Sequence, residues 1–451
     1  DPETGLPAPS CEFPAGSGLE YLYQGAIWIG AIVNGDTLVS TGHDGWQHVF
    51  EFFPDVWPQG SIIKRSNRPN DPNYDPEAIS ETDYIAVYTD TLTDPAYTVP
   101  NPDDGRPHLP LGVQITQESY SWSRTEYEEF ILMRFTIENI RTNVLNGLRV
   151  GFLFDTDIWH HAAPNGFTDD LTGSLRIASQ FSADSLLVAW SADNDGDPDD
   201  GLWTPYSPRA AFSTVMLGTP PGSAQSFNWW VSNGDALLDW GPTLASNLRP
   251  LGTGGLGTPA GDRNKYFFMG NGERDYDQLW SAIDLSAAGW MLPPTPLLAA
   301  NLADGTDTRY LHSLTLGDLA PGERVTFGLA VIMGPQLHAQ PDNFAALFDA
   351  LNPQPFYNSL NFDGLKTNVA TAEALYQCLF GPNPGDVDLS CQVGISDIVF
   401  LVNYLFAGGT TPHDRNRADV NADCRTNLAD AVYLVNYVFL GGAAPLEGCI
   451  E

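Results

Sequence analysis

The C-terminal part of the chain contains one short unit that occurs twice, with the second copy beginning at Asp419, 33 positions after Asp386. Both copies carry oxygen-bearing side chains at loop positions 1, 3, 5 and 12. These are Asp386, Asp388, Ser390 and Asp397 in the first copy and Asp419, Asn421, Asp423 and Asp430 in the second. A hard cation such as calcium needs about six to eight oxygens at a fixed radius, and this spacing supplies four side chains toward each set. The backbone carbonyls at position 7, Gln392 and Arg425, would each add one ligand, and at position 9 a water usually completes the shell.

Each loop leads into a short amphipathic helix. The apolar positions recur at i, i+3, i+4 and i+7, which is one face of a helix. They are Ile398, Leu401, Val402 and Leu405 after the first loop, and Ala431, Leu434, Val435 and Val438 after the second. Gly408 and Gly441 are expected to end the two helices. Two short helices share only a small core, so we expect calcium to supply much of the folding free energy.

The duplicated segment, about residues 385–442, resembles a type I dockerin, a paired EF-hand-type calcium-loop module of secreted bacterial proteins. The resemblance implies calcium binding, an extracellular location and docking to a cohesin-like partner. Position 6, normally glycine, is Cys391 in one copy and Cys424 in the other. The family recognises its partner with hydroxyl residues at positions 10 and 11. Here those positions are Ile395-Ser396 and Leu428-Ala429, largely apolar, which suits a module packed permanently against its own chain or a neighbouring subunit.

The sequence pattern predicts a mainly β domain over residues 1–380 and a small helical module over residues 381–451. Strand patterns recur between turn signals, which favours a large antiparallel β-sandwich. Asn34-Gly35 predicts a tight hairpin turn, because both residues tolerate positive φ. Long loops rich in Pro, Gly and Asp interrupt the pattern at 65–80, 93–110, 158–172, 192–208 and 250–262. The domain is loosely similar to secreted bacterial β-sandwich proteins of uncertain function.

The charge balance excludes some partners. The 451 residues include 20 Lys and Arg against 56 Asp and Glu, a net charge of −36. Such a field repels nucleic acid and anionic membranes, and it attracts divalent cations. The sequence contains no apolar run long enough to insert into a membrane. The chain begins at Asp1 without methionine, as expected of a mature secreted or cell-surface protein.

Four of the five cysteines lie in or beside the C-terminal module: Cys378, Cys391, Cys424 and Cys449. In an oxidising compartment four cysteines allow three pairings, and the sequence does not choose among them. Because dockerin-like modules bring their ends together, the resemblance favours Cys378 with Cys449, which leaves Cys391 with Cys424. Cys11 is left over, either free or bonded to another chain.

An acidic loop in the large domain predicts a further calcium site. Carboxylates occupy alternate residues of a loop kinked by Gly and Pro, at Asp193, Asp195, Asp197 and Asp199. Without a cation their mutual repulsion would be costly. Asp155 and Asp157, with Asp169 and Asp170, form a second cluster that shares this metal or binds another.

No catalytic motif is found in the sequence, which argues against an enzyme. The leading interpretation is a calcium-stabilised structural protein that assembles with copies of itself at or beyond the cell surface, as a filament or surface layer. The alternative is a carbohydrate-binding or glycoside-processing protein, with a polysaccharide ligand, that docks onto a cohesin scaffold. The Trp-rich stretch around Trp229 and Trp230 is either a sugar-stacking platform or core.

Overall fold

The computed structural model describes residues 11–44, 49–102, 104–163, 166–232, 239–249 and 257–450. Within the predicted loop 250–262, residues 250–256 lie outside the described residues.

The strands account for most of the regular structure. They are β1 (Leu19–Glu20), β2 (Gln24–Val33), β3 (Asp36–Thr41), β4 (Phe53–Pro54), β5 (Ile63–Arg65), β6 (Thr82–Thr89), β7 (Val113–Ser121), β8 (Phe130–Asn139), β9 (Leu145–Asp155), β10 (Trp159–His160), β11 (Asp170–Ala178), β12 (Ser185–Asp193), β13 (Ala211–Leu217), β14 (Ala224–Val231), β15 (Thr308–Leu319) and β16 (Arg324–Gly334).

The helices are short apart from the one that precedes the C-terminal module. They are α1 (Gly261–Phe268), α2 (Pro296–Asp304), α3 (Asn343–Leu347), α4 (Gln354–Tyr357), α5 (Asp363–Phe380), α6 (Ile395–Ala407), α7 (Arg415–Ala418) and α8 (Leu428–Leu440).

The strands of the described chain form two large antiparallel sheets and a small one. The larger sheet has the order β11-β12-β13-β16-β8-β7-β6-β4, with β5 also paired to β6. The second sheet has the order β14-β15-β9-β2-β3, and β1 pairs with β10. Asn34 and Gly35 join β2 to β3 with φ values of 54° and 93°, so the predicted hairpin turn is confirmed.

Aromatic side chains fill the space between the two large sheets. The ring of Phe152 in β9 lies 4.9 Å from that of Phe135 in β8, and Phe154 lies 5.6 Å from Phe212 in β13. Large rings bury much apolar area and interlock edge to face, so they fix the separation of the sheets. The predicted antiparallel sandwich with a helical C-terminal module is confirmed.

The second of the two large sheets, β14-β15-β9-β2-β3, is buried on its outer face as well. Trp28, Leu153 and Trp230 pack there with Phe268 and Met269, at the end of α1. This double burial explains why residues 150–155 of β9 and 226–231 of β14 are buried at consecutive positions rather than at alternate ones. Trp229 and Trp230 are each 1% exposed, so this pair belongs to the core.

The chain divides into two compact units. The first comprises residues 1–61, 86–117 and 134–369, and the second comprises 62–85, 118–133 and 370–451. In the second unit the ring of Tyr120 lies 5.4 Å from that of Phe380, at the end of α5. The unit that contains the C-terminal module thus also includes two earlier segments, and a domain boundary at residue 381 stays a prediction.

Candidate calcium sites

The first acidic loop is closed by hydrogen bonds from its backbone to its own carboxylates. The Ser390 amide donates to Asp386 Oδ1 at 2.9 Å and to Asp388 Oδ1 at 3.0 Å. Asp397, at the start of α6, accepts from the amides of Val387 at 2.7 Å and Gly394 at 2.7 Å. Oxygens of Asp386, Asp388 and Asp397 therefore lie within 4.8 Å of one another, close enough to share one ion.

The second loop repeats this geometry at the equivalent positions. The Asp423 amide donates to Asp419 Oδ1 at 3.0 Å and to Asn421 Oδ1 at 2.9 Å. Asp430 accepts from the amides of Asn421 and Asn427, at 3.4 and 2.8 Å. The two loops thus arrange positions 1, 3, 5 and 12 in the same way.

The structure gives a contact beside a predicted ligand for one of the two carbonyls predicted at position 7. The Gln392 carbonyl accepts from the Ser390 hydroxyl at 3.1 Å, which places it beside a predicted ligand. The role of the Arg425 carbonyl stays a prediction.

The cysteine at position 6 adopts the backbone conformation that normally requires glycine. Cys391 has a φ of 66° and Cys424 a φ of 61°. Disulfides Cys378–Cys391 and Cys424–Cys449 hold these residues in place. Each bond ties one loop to the segment beside it, the first to α5 and the second to the C-terminal tail.

The pairing of Cys378 with Cys449 and of Cys391 with Cys424 was therefore wrong. The C-terminal tail closes on the second loop, since the amide of Cys449 donates to Asp419 Oδ2 at 3.1 Å. Cys378 lies in α5, directly before the first loop. Each flanking cysteine is thus next to one loop only. Cys11 is free.

The two loops differ at position 1. Asp386 Oδ2 lies 3.4 Å from Nη1 of the buried Arg417, whose Nη2 donates to the carbonyls of Cys378 and Gly381. Burial raises the pKa of Asp386 to about 6. The charge of Arg417 lowers this pKa, whereas the charges of Asp397 and Asp388 raise it further. In the second loop, Asp419 Oδ2 accepts from the amides of Cys424 and Cys449 instead. Sequence reasoning missed Arg417, and no motif marks it.

The helices that follow the loops pack together over a small core. Val387, Leu401, Ala418, Val420, Ala431 and Leu434 are buried there. The φ values of Gly408 and Gly441 are 69° and 68°, so both glycines end their helices as predicted. Val402 and Val435, predicted as members of the core stripe, are instead 38% and 37% exposed.

These structural features coincide with one family comparison. Residues 384–439 match the model of the dockerin type I domain. Dockerin domains in general bind calcium and bind cohesins, and the proteins that carry them are typically extracellular or on the cell surface. A comparison with curated proteins finds no match for this chain. Among the described residues, no helix has the length and apolar character that a membrane crossing requires.

Outside the dockerin domain, the predicted acidic loop joins a larger group, which we call the buried aspartate cluster: Asp169, Asp170, Asp193, Asp195 and Asp197. Burial raises the pKa of Asp193 well above its usual range, and the charges of Asp197, Asp169 and Asp195 add to this. The pKa of Asp170 is raised in the same way, by burial and then by Asp193. Asp199, predicted as a ligand, is exposed, and its backbone pairs with that of Leu202.

Asp155 and Asp157 belong to a different group, the arginine-paired cluster, which they form with Asp307 and Arg309. The three carboxylates have oxygens within 4.8 Å of one another. Arg309 contacts Asp155 at 3.0 Å and Asp307 at 3.4 Å. Burial raises the pKa of Asp157 to about 7, helped by the charges of Asp155 and Asp307. Sequence reasoning missed Asp307 and Arg309, since about 150 residues separate them from Asp155 and only the pairing of β15 with β9 brings them together.

Proposed function

We propose that this protein is a secreted β-sandwich protein that attaches to a cohesin-bearing scaffold through its calcium-loaded dockerin domain. The ligands of the two ions would be Asp386, Asp388, Ser390, Gln392 and Asp397 in the first loop and Asp419, Asn421, Asp423, Arg425 and Asp430 in the second. The match of residues 384–439 to the dockerin family and the shared loop geometry support this proposal.

The observation that carries the proposal is a second apolar stripe, on the exposed side of each dockerin helix. Its members recur at i, i+4, i+7 and i+11. They are Ile395, Val399, Val402 and Phe406 in α6 and Leu428, Val432, Val435 and Phe439 in α8. The equivalent residues are exposed to nearly the same extent, from 58% and 56% at the first pair to 66% and 58% at the last. Contiguous exposed apolar residues of this kind mark a protein interface.

The stripe also bears on the apolar residues at positions 10 and 11. Ile395 and Leu428, where the family uses hydroxyl residues, are both exposed and begin the two stripes. We therefore infer that the partner is recognised mainly by apolar contact at these positions, where burial of such side chains stabilises a complex.

Because the two stripes are equivalent, a cohesin could contact either helix face. Phe406→Ser or Phe439→Ser alone should leave the affinity within about twofold, since the other face remains. The double variant should lose most of the binding, because each buried aromatic anchor contributes about 2 kcal/mol or more at an interface. Phe181→Ser is the matched control, since Phe181 is similarly exposed but lies in the β-sandwich.

The test is titration calorimetry of the full chain with a panel of cohesin domains, in calcium and in chelator. We expect tight binding in calcium and none in chelator, because calcium holds both helices in place. Absence of binding to any cohesin, or a double variant that binds as tightly as the unaltered chain, contradicts the proposal.

Self-assembly stays a prediction. An interchain bond through Cys11 would support it, but this cysteine is free and half-buried. Burial raises its pKa to about 11, with a further increase from Glu20. A thiol with so high a pKa has little thiolate at neutral pH and is a poor partner for disulfide exchange.

A carbohydrate-related role also stays a prediction. One open cleft in the β-sandwich, of about 340 Å³, is lined by Arg274, Asp277, Trp280 and Tyr357 among others. Asp277, however, already accepts from the Ser174 amide at 2.8 Å.

A further inference from the structure

We propose that the β-sandwich holds a calcium ion of its own in the buried aspartate cluster, independent of the dockerin loops. Asp170 is the first residue of β11 and Asp193 the last of β12, and the two residues pair directly in the antiparallel register. Like charges placed opposite each other on neighbouring strands repel. The register therefore places these two acidic residues opposite each other at one end of this strand pair.

Each of these carboxylates has one oxygen whose hydrogen bonds are satisfied and one without a partner. Both residues have 0% exposure. Asp170 Oδ2 accepts from the Ile158 amide at 3.0 Å, and Asp193 Oδ1 accepts from the Asp195 amide at 3.0 Å. Asp170 Oδ1 and Asp193 Oδ2 are buried, and within the described chain neither has a hydrogen-bond partner. Native proteins rarely leave such atoms unpaired, and a bound cation would satisfy both of them.

The remaining members of the cluster lie on two other segments, the loop after β12 and the 3-10 helix 166–169. Asp195 and Asp197 lie in the loop after β12, which Gly196 and Asp197 turn with φ values of 77° and 50°. Asp197 Oδ2 lies 3.9 Å from the point that a Cβ on Gly166 would occupy, beside the 3-10 helix 166–169. That helix ends at Asp169, directly before the buried Asp170. Asp195 and Asp197 are half-buried, so the cluster has access to solvent for an ion to enter.

Among the described residues, no Lys or Arg forms an ion pair with any of the five carboxylates. The neighbouring arginine-paired cluster is different, because Arg309 contacts two of its three acids. A set made only of carboxylate oxygens matches a hard cation. Calcium accepts irregular geometry and more than six ligands, whereas magnesium demands a near-ideal octahedron. The missing countercharge therefore points to calcium.

Terbium luminescence tests the site in the full chain. Terbium replaces calcium and emits when a nearby excited ring transfers energy to it. Trp203 packs against Gly196, with its Cζ3 atom 3.0 Å from the position of an added Cβ. Residues 384–451, which include both dockerin loops, contain no tryptophan. We expect tryptophan-excited terbium emission that calcium competes away and that Trp203→Phe weakens.

Calcium content measured by atomic emission after dialysis provides the second readout. The variant Asp170→Asn with Asp193→Asn should hold one ion fewer per chain than the unaltered protein and lose the tryptophan-excited emission. Asp195→Asn with Asp197→Asn should also lower the calcium content and the emission. Because these two residues are half-buried, this variant replaces the first one if the first does not fold. The matched control, Asp155→Asn with Asp157→Asn, should keep the ion. Unchanged calcium content in both cluster variants, or loss of the ion in the control alone, overturns the proposal.

Discussion

Removal of the Cys424–Cys449 disulfide should loosen the dockerin domain by an amount that the structure allows us to estimate. The bond spans 25 residues. Closing a loop of this size lowers the entropy of the unfolded chain, which stabilises the folded domain by about 3.5 kcal/mol. Replacing both cysteines with serine should therefore lower the free energy of local opening by about that amount.

A second variant separates the covalent bond from the backbone. Cys424 has a φ of 61°, a conformation that costs a residue with a Cβ atom about 1 kcal/mol relative to glycine. Cys424→Gly with Cys449→Ser should therefore recover about 1 kcal/mol of what the double serine variant loses. The two variants differ at one position only, so each serves as the control for the other.

Hydrogen exchange with mass spectrometry of peptides from α8 measures both effects in the full chain, in saturating calcium. A tenfold change corresponds to about 1.4 kcal/mol, so the serine variant should exchange about 300-fold faster and the glycine variant about 60-fold faster. Peptides from β9 in the sandwich should not change. Equal exchange in the two variants would refute the argument on position 6, and exchange within twofold of the unaltered protein would refute the argument on the disulfide.

Two further predictions concern calcium and pH. Asp430→Asn should lower the calcium affinity of the second loop more than about tenfold, because a predicted ligand is lost, and should leave the affinity of the first loop unchanged. Asp397→Asn should weaken the first loop and leave the second unchanged. Calorimetry that shows both loops weakened equally by either variant contradicts independent sites. Burial lowers the pKa of His312 from 6.5 to about 3. Between pH 6.5 and about pH 3, the unfolded chain therefore binds a proton at this ring and the folded chain does not. As the pH falls below 6.5, the free energy of unfolding decreases by about 1.4 kcal/mol per pH unit. His312→Gln should make this dependence shallower by about 2 kcal/mol between pH 7 and pH 5, as measured by urea denaturation with tryptophan fluorescence; an unchanged pH dependence contradicts it.

The sequence predicted best where a local pattern determines the structure. The hairpin at Asn34-Gly35 and the helix ends at Gly408 and Gly441 depend only on which residues tolerate positive φ. The dockerin-like module was also predicted from a local pattern, because the predicted ligands of each loop lie within twelve residues. The antiparallel sandwich also followed from strand patterns and the turn signals between them.

The predictions that failed concern side chains with more than one possible partner in space. The disulfide pairing depended on which loop each flanking cysteine approaches, and the C-terminal tail closes on the second loop alone. Val402 and Val435 fit the apolar stripe of a buried helix face, yet each lies on the border of a second stripe that is exposed. Periodicity alone does not separate two adjacent stripes on one helix.

The distribution of arginine predicts which acidic clusters in this chain depend most on calcium. With 20 basic residues against 56 acidic ones, the chain has too few cations to give each carboxylate its own. Arg309 lies between Asp155 and Asp307, and Arg417 lies beside Asp386, so these carboxylates keep a counterion when calcium is absent. In the second dockerin loop the equivalent oxygen of Asp419 accepts from backbone amides instead of an arginine. A chelator should therefore destabilise the second loop more than the first. The buried aspartate cluster, whose described surroundings supply no basic partner, should depend on calcium for the same physical reason as the second loop.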